Sequence, residues 1–381
     1  MKRLVISSLT LATLATASSA QAQSSVTLYG EMDNAIAYYN NVGHASLLEL
    51  QGADLTANQW GLKGKEDLGG GLQAIFNLEN GFNTETGKFS QGGREFGKNA
   101  YVGLASDSLG TVVFGRMLDP TVDLVQPLTA DGYGPAFSTP GDADNNDNTF
   151  RVQNATKYTS PNYNGLQYEL MYGLGGVAGS VASQQSTAAA VAYNHGNFSV
   201  AGGYVYAKND GAGGVGTADQ TQNNSVTPLF GNVAFTGSRL ISQAAAQYVF
   251  GKFTANVRYS NAQWKPGAAF AAFNRTETFN TGATSLAYLM TPSIQMDVGY
   301  TYTRSTGASS ATYHTVAAGA EYFLSKRTTL YAIGGYSHAR GTTFSQDGNS
   351  IVAAGGTVGD LTSSSSTPNQ LALMLGMTTK F

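Results

Sequence analysis

The sequence predicts an all-β protein, a transmembrane antiparallel β-barrel of about 16 strands. Three observations predict it. Runs of about ten residues that alternate large apolar and polar side chains recur along the chain. The connections between them alternate between short Gly/Asn/Pro turns and long polar segments. The polar parity of these runs carries Lys, Glu, Asp and Asn, where a packed soluble core would be apolar. Composition agrees: 12% of the residues are charged, against roughly 25% in soluble domains, while 47 glycines, 21 tyrosines and 18 phenylalanines favour turns and strands. The part beyond the first 22 residues has no apolar run of about 18 residues, so helical membrane spans are not expected.

The first run, "VTLYGEMDNAIAYY", puts Val26, Leu28, Met32 and Ile36 on one parity and Tyr29, Glu31 and Asp33 on the other. "QWGLKGKEDLGGGLQAIFNLEN" repeats this as a hairpin turning at "EDLGGG", with Leu72, Ala74, Phe76 and Leu78 opposing Gln73, Asn77 and Glu79. Further strands are predicted at 97–105, 110–116, 151–160, 165–173, 187–194, 197–207, 239–250, 252–261, 277–289, 293–303, 311–324, 328–339 and 369–381. Long connections fall at 40–57, 81–95, 117–150, 208–238, 261–276, 304–310 and 340–368. In the last strand Leu371, Leu373, Leu375, Met377 and Phe381 share one parity, a large apolar face that needs lipid to cover it. Tight turns at one rim and long loops at the other are the pattern of an up-and-down barrel, with the short turns periplasmic and the long loops extracellular.

A β-sandwich would also alternate, but its strands are usually shorter than these nine to eleven residues and its inner faces apolar. Aromatics near strand ends, at Tyr38-Tyr39, Phe96, Tyr158, Tyr193, Tyr204, Phe250, Tyr288 and Tyr322-Phe323, fit an interfacial belt. In lipid only a closed barrel satisfies every strand group, so the last strand is expected to pair with the first. About sixteen strands leave a water-filled lumen.

Residues 1–22 read as a secretory leader: Lys2 and Arg3, the apolar "LVISSLTLATLA", then small residues, with cleavage expected between Ala22 and Gln23 and residues 23–381 forming one barrel domain. Without the two leader cations the chain keeps 19 basic and 24 acidic side chains, a mildly acidic balance that disfavours a nucleic-acid partner. There is no cysteine, so neither disulfides nor thiolate chemistry contribute.

Five stretches, "SSVTLYGEMD", "WGLKGKEDLGGGLQAIFNLENGF", "FGKNAYVGLASDSLGTVVFGRM", "NATKYTSPNYNG" and the final Phe381, together resemble the general outer-membrane porins of β-proteobacteria, the neisserial and Burkholderia-type family. The resemblance implies a homotrimer in the Gram-negative outer membrane, in contact with lipid and lipopolysaccharide. It implies a third loop folded into the lumen, and passive diffusion of small hydrophilic solutes without a cofactor. Phe381 would be the signal read by the outer-membrane assembly machinery. Two departures stand out: Lys98 and Lys157 occupy places where the family pattern has arginine, replacing a planar fork by a point charge.

The segment 117–150 is that third loop. It holds Asp119, Asp123, Asp131, Asp142, Asp144 and Asp147 with no Lys or Arg, and its apolar "TVDLVQPL" suits a short helix. Bent inward, these carboxylates would face basic wall residues, and the field between them would orient dipolar solutes and filter ions. The wall candidates are Lys63, Lys65, Arg116, Arg151 and Lys157, with Arg94 and Arg258 the weaker choices. Arg116 shares strand parity with the lipid-side Val112 and Phe114, so its inward role requires the chain to bend there. The excess of acid predicts a weak cation preference.

Other motifs point nowhere specific. "GDADNNDN" imitates a calcium loop at Asp142, Asp144 and Asn146, but Asp147 stands where glycine is needed and Gln153 where the bidentate glutamate belongs. "GAGGVG" at 211–216 lacks a following helix. The four histidines are scattered and no Gly-x-Ser-x-Gly elbow occurs, so no catalytic or metal site is predicted. A general diffusion channel is the expected function. A substrate-specific channel would want a lumenal line of aromatics or an arginine ladder, and an outer-membrane enzyme or adhesin is the third alternative.

Overall fold

The computed structural model describes residues 24–209, 236–267, 272–345, 348–361 and 364–381. The predicted leader and the "GAGGVG" stretch lie outside them. Among the described residues the chain forms β1 (Ser25–Val42), β2 (Ala45–Gly52), β3 (Gln59–Gly69), β4 (Leu72–Gly81), β5 (Asn99–Ser106) and β6 (Gly110–Met117). A short helix α1 (Pro120–Leu124) and four single turns of 3₁₀ helix follow. Then come β7 (Val152–Thr159), β8 (Leu166–Gly173), β9 (Ser186–His195), β10 (Phe198–Lys208), β11 (Thr236–Phe250), β12 (Phe253–Pro266) and β13 (Glu277–Thr291). The chain finishes with β14 (Ile294–Thr306), β15 (Ser310–Phe323), β16 (Thr328–Phe344), β17 (Ile351–Ala353) and β18 (Asn369–Lys380).

Apart from β2 and β17, sequential strands pair antiparallel, and β18 closes on β1 from Glu31↔Lys380 to Tyr39↔Ala372. The predicted pairing of the last strand with the first is therefore present. Sixteen strands make the wall. The other two, β2 and β17, lie inside stretches expected to be loops: β2 continues the edge of β1 beyond β3, and β17 pairs with the end of β16. The connection expected at 304–310 shrinks to three residues, because Arg304, Ser305 and Thr306 continue β14 and Ser310 opens β15, next to the threonines Thr301, Thr303 and Thr312 of the same strands. Threonine favours a pleated surface whether lipid or water lies outside it. For the same reason several strands outrun the nine to eleven residues needed to cross a bilayer, β1 reaching 18 and β16 reaching 17.

Parity places the two faces as expected. In β18, Leu375 is 66% exposed while its neighbours Ala372 and Met374 are buried. In β1, Val26, Leu28, Met32 and Ile36 point outward and Asp33, Ala35 and Ala37 inward. Outward apolar side chains of this kind belong to a lipid-facing band. Tyr39, read as part of the aromatic belt, is instead fully buried in the lumen, where its hydroxyl bonds Gln51; the period of two separates it from the outward Tyr38.

The third long connection, 118–151, folds into the lumen because its apolar residues find an apolar inner wall. Asp119 caps α1, accepting from the Thr121 backbone N–H at 2.8 Å, and Pro120 opens the helix without a wasted donor. Beyond the helix, Val125 and Leu128 sink among Ala190, Ala192, Ala201 and Ala245, small wall residues that leave room for them. Burying two such side chains is worth roughly 1.5–3 kcal/mol each. Farther on, Ala136 and Phe137 pack on Tyr331, Ile333 and Met374, and Phe150 joins a cluster with Met117, Val152 and Trp264.

Candidate functional site

Polar contacts fasten the inward loop to the opposite wall. Arg258 of β12 donates from Nη1 to Asp144 Oδ2 at 2.6 Å and from Nη2 to Thr139 Oγ1 at 2.7 Å. The Asp144 carboxylate also receives the Ser260 hydroxyl, and Gln243 Nε2 donates to the Asp144 carbonyl at 2.6 Å. Trp264 Nε1 holds the Ala143 carbonyl at 3.1 Å and Asn256 Nδ2 the Thr129 carbonyl at 2.8 Å. The last connection closes from another side, the Gly141 N–H donating to the Gly359 carbonyl at 2.6 Å. Gly359 has φ +52, and a side chain there would collide with the Pro135 carbonyl.

A second inward fold forms at residues 53–58, between β2 and β3. Asp33 organises it, its carboxylate accepting from the backbone N–H groups of Asp54 (3.0 Å), Leu55 and Thr56 (3.3 Å each) and from the Tyr331 hydroxyl (2.7 Å). Asn58 clasps the Asp33 backbone, accepting its N–H and donating to its carbonyl.

Between these folds lies a cavity of about 720 Å³. The loops contribute Asp54, Asp131, Asp147 and Asp360; the wall side adds Glu31, Glu79, Lys98, Arg151 and Lys380. Its lining, among the described residues, includes no aromatic side chain.

The comparisons agree with this geometry. The Gram-negative porin family profile matches residues 8–342. The chain belongs to the Gram-negative porin family. An outer membrane porin protein of Bordetella pertussis is 36% identical over 188 residues, 45% of this chain and 48% of that one. The match thus spans about half the length of that relative. The major outer membrane protein P.IB of Neisseria gonorrhoeae is 26% identical over 355 residues, 88% of this chain and 93% of that one. The anion-selective porin from Comamonas acidovorans shares the fold with a TM-score of 0.72 at 23% identity, covering 94% of this chain and all of that one. As a family member this porin is an outer-membrane protein of a Gram-negative bacterium.

The six loop aspartates of the porin fall into different chemical settings. Asp119 is consumed by helix capping and by Asn145. Asp123 pairs with Lys157, which also lies 3.8 Å from Glu169. Burial pushes Asp144 up, but the Arg258 charge together with hydrogen bonds from Ser260, Arg258 and Thr139 holds it below the usual carboxyl range. Asp142 is buried, accepting from the Asp147 N–H and from Thr149. Asp131 and Asp147 reach the cavity. Burial lifts Asp131 to about 7, and burial together with Asp131 raises Asp147 well above its ordinary value.

The basic candidates separate in the same way. Arg151 lines the cavity, and burial lowers it to about 10. Arg116 is buried, with Nε donating to the Gly97 carbonyl at 2.7 Å and Nη1 to Gln153 at 3.1 Å. The bend it needs is a β-bulge at Gly115, whose φ of +143 breaks the strand parity. Lys157 is engaged with Asp123 behind the loop, and Arg94 donates to the Gln91 carbonyl within the second connection. Lys63 and Lys65 are exposed toward the short-turn end of β3, Lys63 resting 4.8 Å over the Tyr29 ring, so they stand apart from the cavity.

Sequence reasoning ranked Arg258 low and placed Lys98, Asp54 and Asp360 nowhere in the site. Lys98 donates to Gln59, and burial with Arg151 nearby pushes its ammonium down to about 7. Burial, reinforced by Asp33 and Glu85, pushes Asp54 up to about 7. The even parity of Arg258 with Ser260 was a usable signal for an inward side chain; Asp54 and Asp360 sit in irregular chain and had none. In the calcium-like stretch Asp144 is taken by Arg258, and no three His, Cys, Asp or Glu side chains are grouped for a metal ion among the described residues.

Proposed function

We propose that the chain is a general diffusion porin, a water-filled channel for passive transport of ions and small hydrophilic solutes. The observation that carries this reading is the charged cavity inside a closed sixteen-strand wall. Among the described residues, its lack of lining aromatics and its one lining arginine favour this over a sugar- or acid-specific channel. The porin kinship of the matched relatives favours it over an enzyme or adhesin.

The constriction is formed by three inward segments with Arg151 and Lys98 opposite. Among the described residues, six lining carboxylates (Glu31, Asp54, Glu79, Asp131, Asp147, Asp360) against three lining cations (Lys98, Arg151, Lys380) support a weak cation preference. This is opposite in sign to the selectivity named for the Comamonas relative. Export with removal of residues 1–22, assembly as a trimer among lipid and lipopolysaccharide, and recognition of Phe381 by the assembly machinery complete the proposal.

The test is single-channel conductance of refolded protein in a planar bilayer, followed by the reversal potential in a salt gradient. Ohmic steps in groups of three and a cation-signed potential are expected. Folded, inserted protein without conductance would overturn the channel reading, and a chloride-signed potential would overturn the selectivity.

A further inference from the structure

The outward face of β14, β15, β16 and β18 carries charge on a wall that lipid surrounds. Register sets its side chains in rows: Tyr302, His314, His338 and Asn369 stand opposite one another across the four strands, and Arg304, Thr312 and Arg340 form the next row toward the long connections. They share strand parity with the exposed Val298, Val316, Tyr336 and Leu373. In the row below, Tyr300 places its hydroxyl 2.6 Å from His314 Nδ1, and Tyr336 donates to Asn369 Oδ1 at 2.8 Å. Aromatic rings on the apolar side with hydroxyls turned to polar partners mark the membrane interface, so both arginines stand at headgroup height. Both are exposed, and among the described residues neither forms an ion pair and no Asp or Glu shares the outward parity of β13–β18. Arg340 donates from Nε to a neutral acceptor, His338 Nε2 at 3.1 Å, whose Nδ1 lies 2.7 Å from Asn369 Oδ1.

We propose that this face binds one phosphorylated saccharide headgroup of lipopolysaccharide, its phosphate held by Arg304 and Arg340 and its acyl chains lying over Val298, Val316 and Leu373. The inference deepens the proposed contact with outer-leaflet lipid and rests on it. Neighbouring strands lie roughly 4.8 Å apart, so the Arg304 and Arg340 backbones stand about 10 Å from each other with only the small Thr312 between them. Two guanidinium groups at that spacing can converge on one phosphate, and each offers it a planar fork of donors. His314, one row nearer the apolar band, adds a ring nitrogen beside them. A free anion would leave the apolar rows directly below unused, whereas a lipid meets the charge and the apolar surface together.

The experiment uses the whole folded protein in dodecyl maltoside and counts bound lipid by native mass spectrometry, with phosphorylated lipid A as the probe. Dephosphorylated lipid A and inorganic phosphate are the comparisons. Phosphorylated lipid A should bind, and replacing Arg304 and Arg340 together by glutamine should weaken that binding about tenfold. Lys326→Gln, an exposed cation at the short-turn end of the same wall, should leave it unchanged. Arg304→Gln alone, which keeps the bond from Arg340 to His338, stands in if the double variant does not fold and should weaken binding in the same direction. Equal binding of dephosphorylated lipid A, or unchanged binding by the folded double variant, overturns the site. Inorganic phosphate bound as strongly as lipid A would make it a site for a free anion and overturn the lipid assignment. A double variant with a different number of chains per complex would assign the face to a second copy and overturn it as well. The channel reading is tested separately, by the conductance of the unaltered protein.

Discussion

Arg258 and Asp144 are 114 residues apart in sequence and 2.6 Å apart in space, their side chains sealed between the third connection and the barrel wall. This pair, with Thr139 and Ser260 around it, sets how far the loop reaches into the pore.

Replacing Arg258 by alanine leaves Asp144 buried without its counter-charge, a loss of about 3–5 kcal/mol that the loop can relieve by leaving the wall. The wall strands are unaffected. Single-channel recordings should show larger, noisier conductance from protein that still migrates as a folded barrel. Wild-type conductance and noise in Arg258→Ala would mean that the apolar contacts of Val125, Leu128 and Phe137 hold the loop unaided.

Selectivity should depend on pH near neutrality. Asp54 and Asp131 titrate at about 7, and so does Lys98. On raising pH from 5 to 9 the carboxyls gain negative charge and the ammonium loses positive charge, so both changes favour cations. Arg151, at about 10, stays mostly charged throughout this range. The reversal potential in a potassium chloride gradient should therefore move toward the potassium value as pH rises, and a flat profile would contradict the burial of these groups.

Gly115 has a φ of +143, and a side chain there would meet the Ala100 carbonyl. Gly115→Ala should cost about 1–3 kcal/mol in backbone strain, with the collision added. It also opposes the bulge that keeps Arg116 away from the lipid side. Gly202, whose nearest neighbour to an added Cβ is 3.5 Å away, is the control. Denaturant midpoints of the two variants should separate clearly; equal midpoints would remove the bulge from this account.

Tyr331→Phe removes one of four donors to Asp33, about 1.5–3 kcal/mol for a bond to a charged acceptor, and keeps the ring that packs against Phe137. Asp33→Ala removes all four and frees residues 53–58. The alanine variant should show the greater change, with higher conductance and a weaker cation preference as Asp54 leaves the cavity. If both variants conduct like the parent, the 53–58 fold does not narrow the pore.

Much of this architecture is legible in single strands. The alternation in β18 marks its lipid side because a pleated strand in lipid has only two surroundings, and Leu375 and Met374 cannot exchange them. Parity fails at Gly115, where one backbone angle outside the strand region reverses the rule for Arg116. It also misjudges Tyr39, an aromatic near a strand end that its register turns inward.

The aspartates of the third connection show where local reading ends. Asp119, Asp123, Asp131, Asp142, Asp144 and Asp147 look alike in sequence, yet one caps a helix, two are neutralised by cations, one is buried under backbone donors and two reach the cavity. By itself the sequence determined the wall: strand number, turn rims and lipid face, all properties of short-range periodicity and of a solvent that tolerates no unpaired strand edge. Only the tertiary structure decided which charges face the pore, because pairs such as Arg258 with Asp144, and Asp33 with the Tyr331 hydroxyl 298 residues away, exist only once the barrel has closed around its loops.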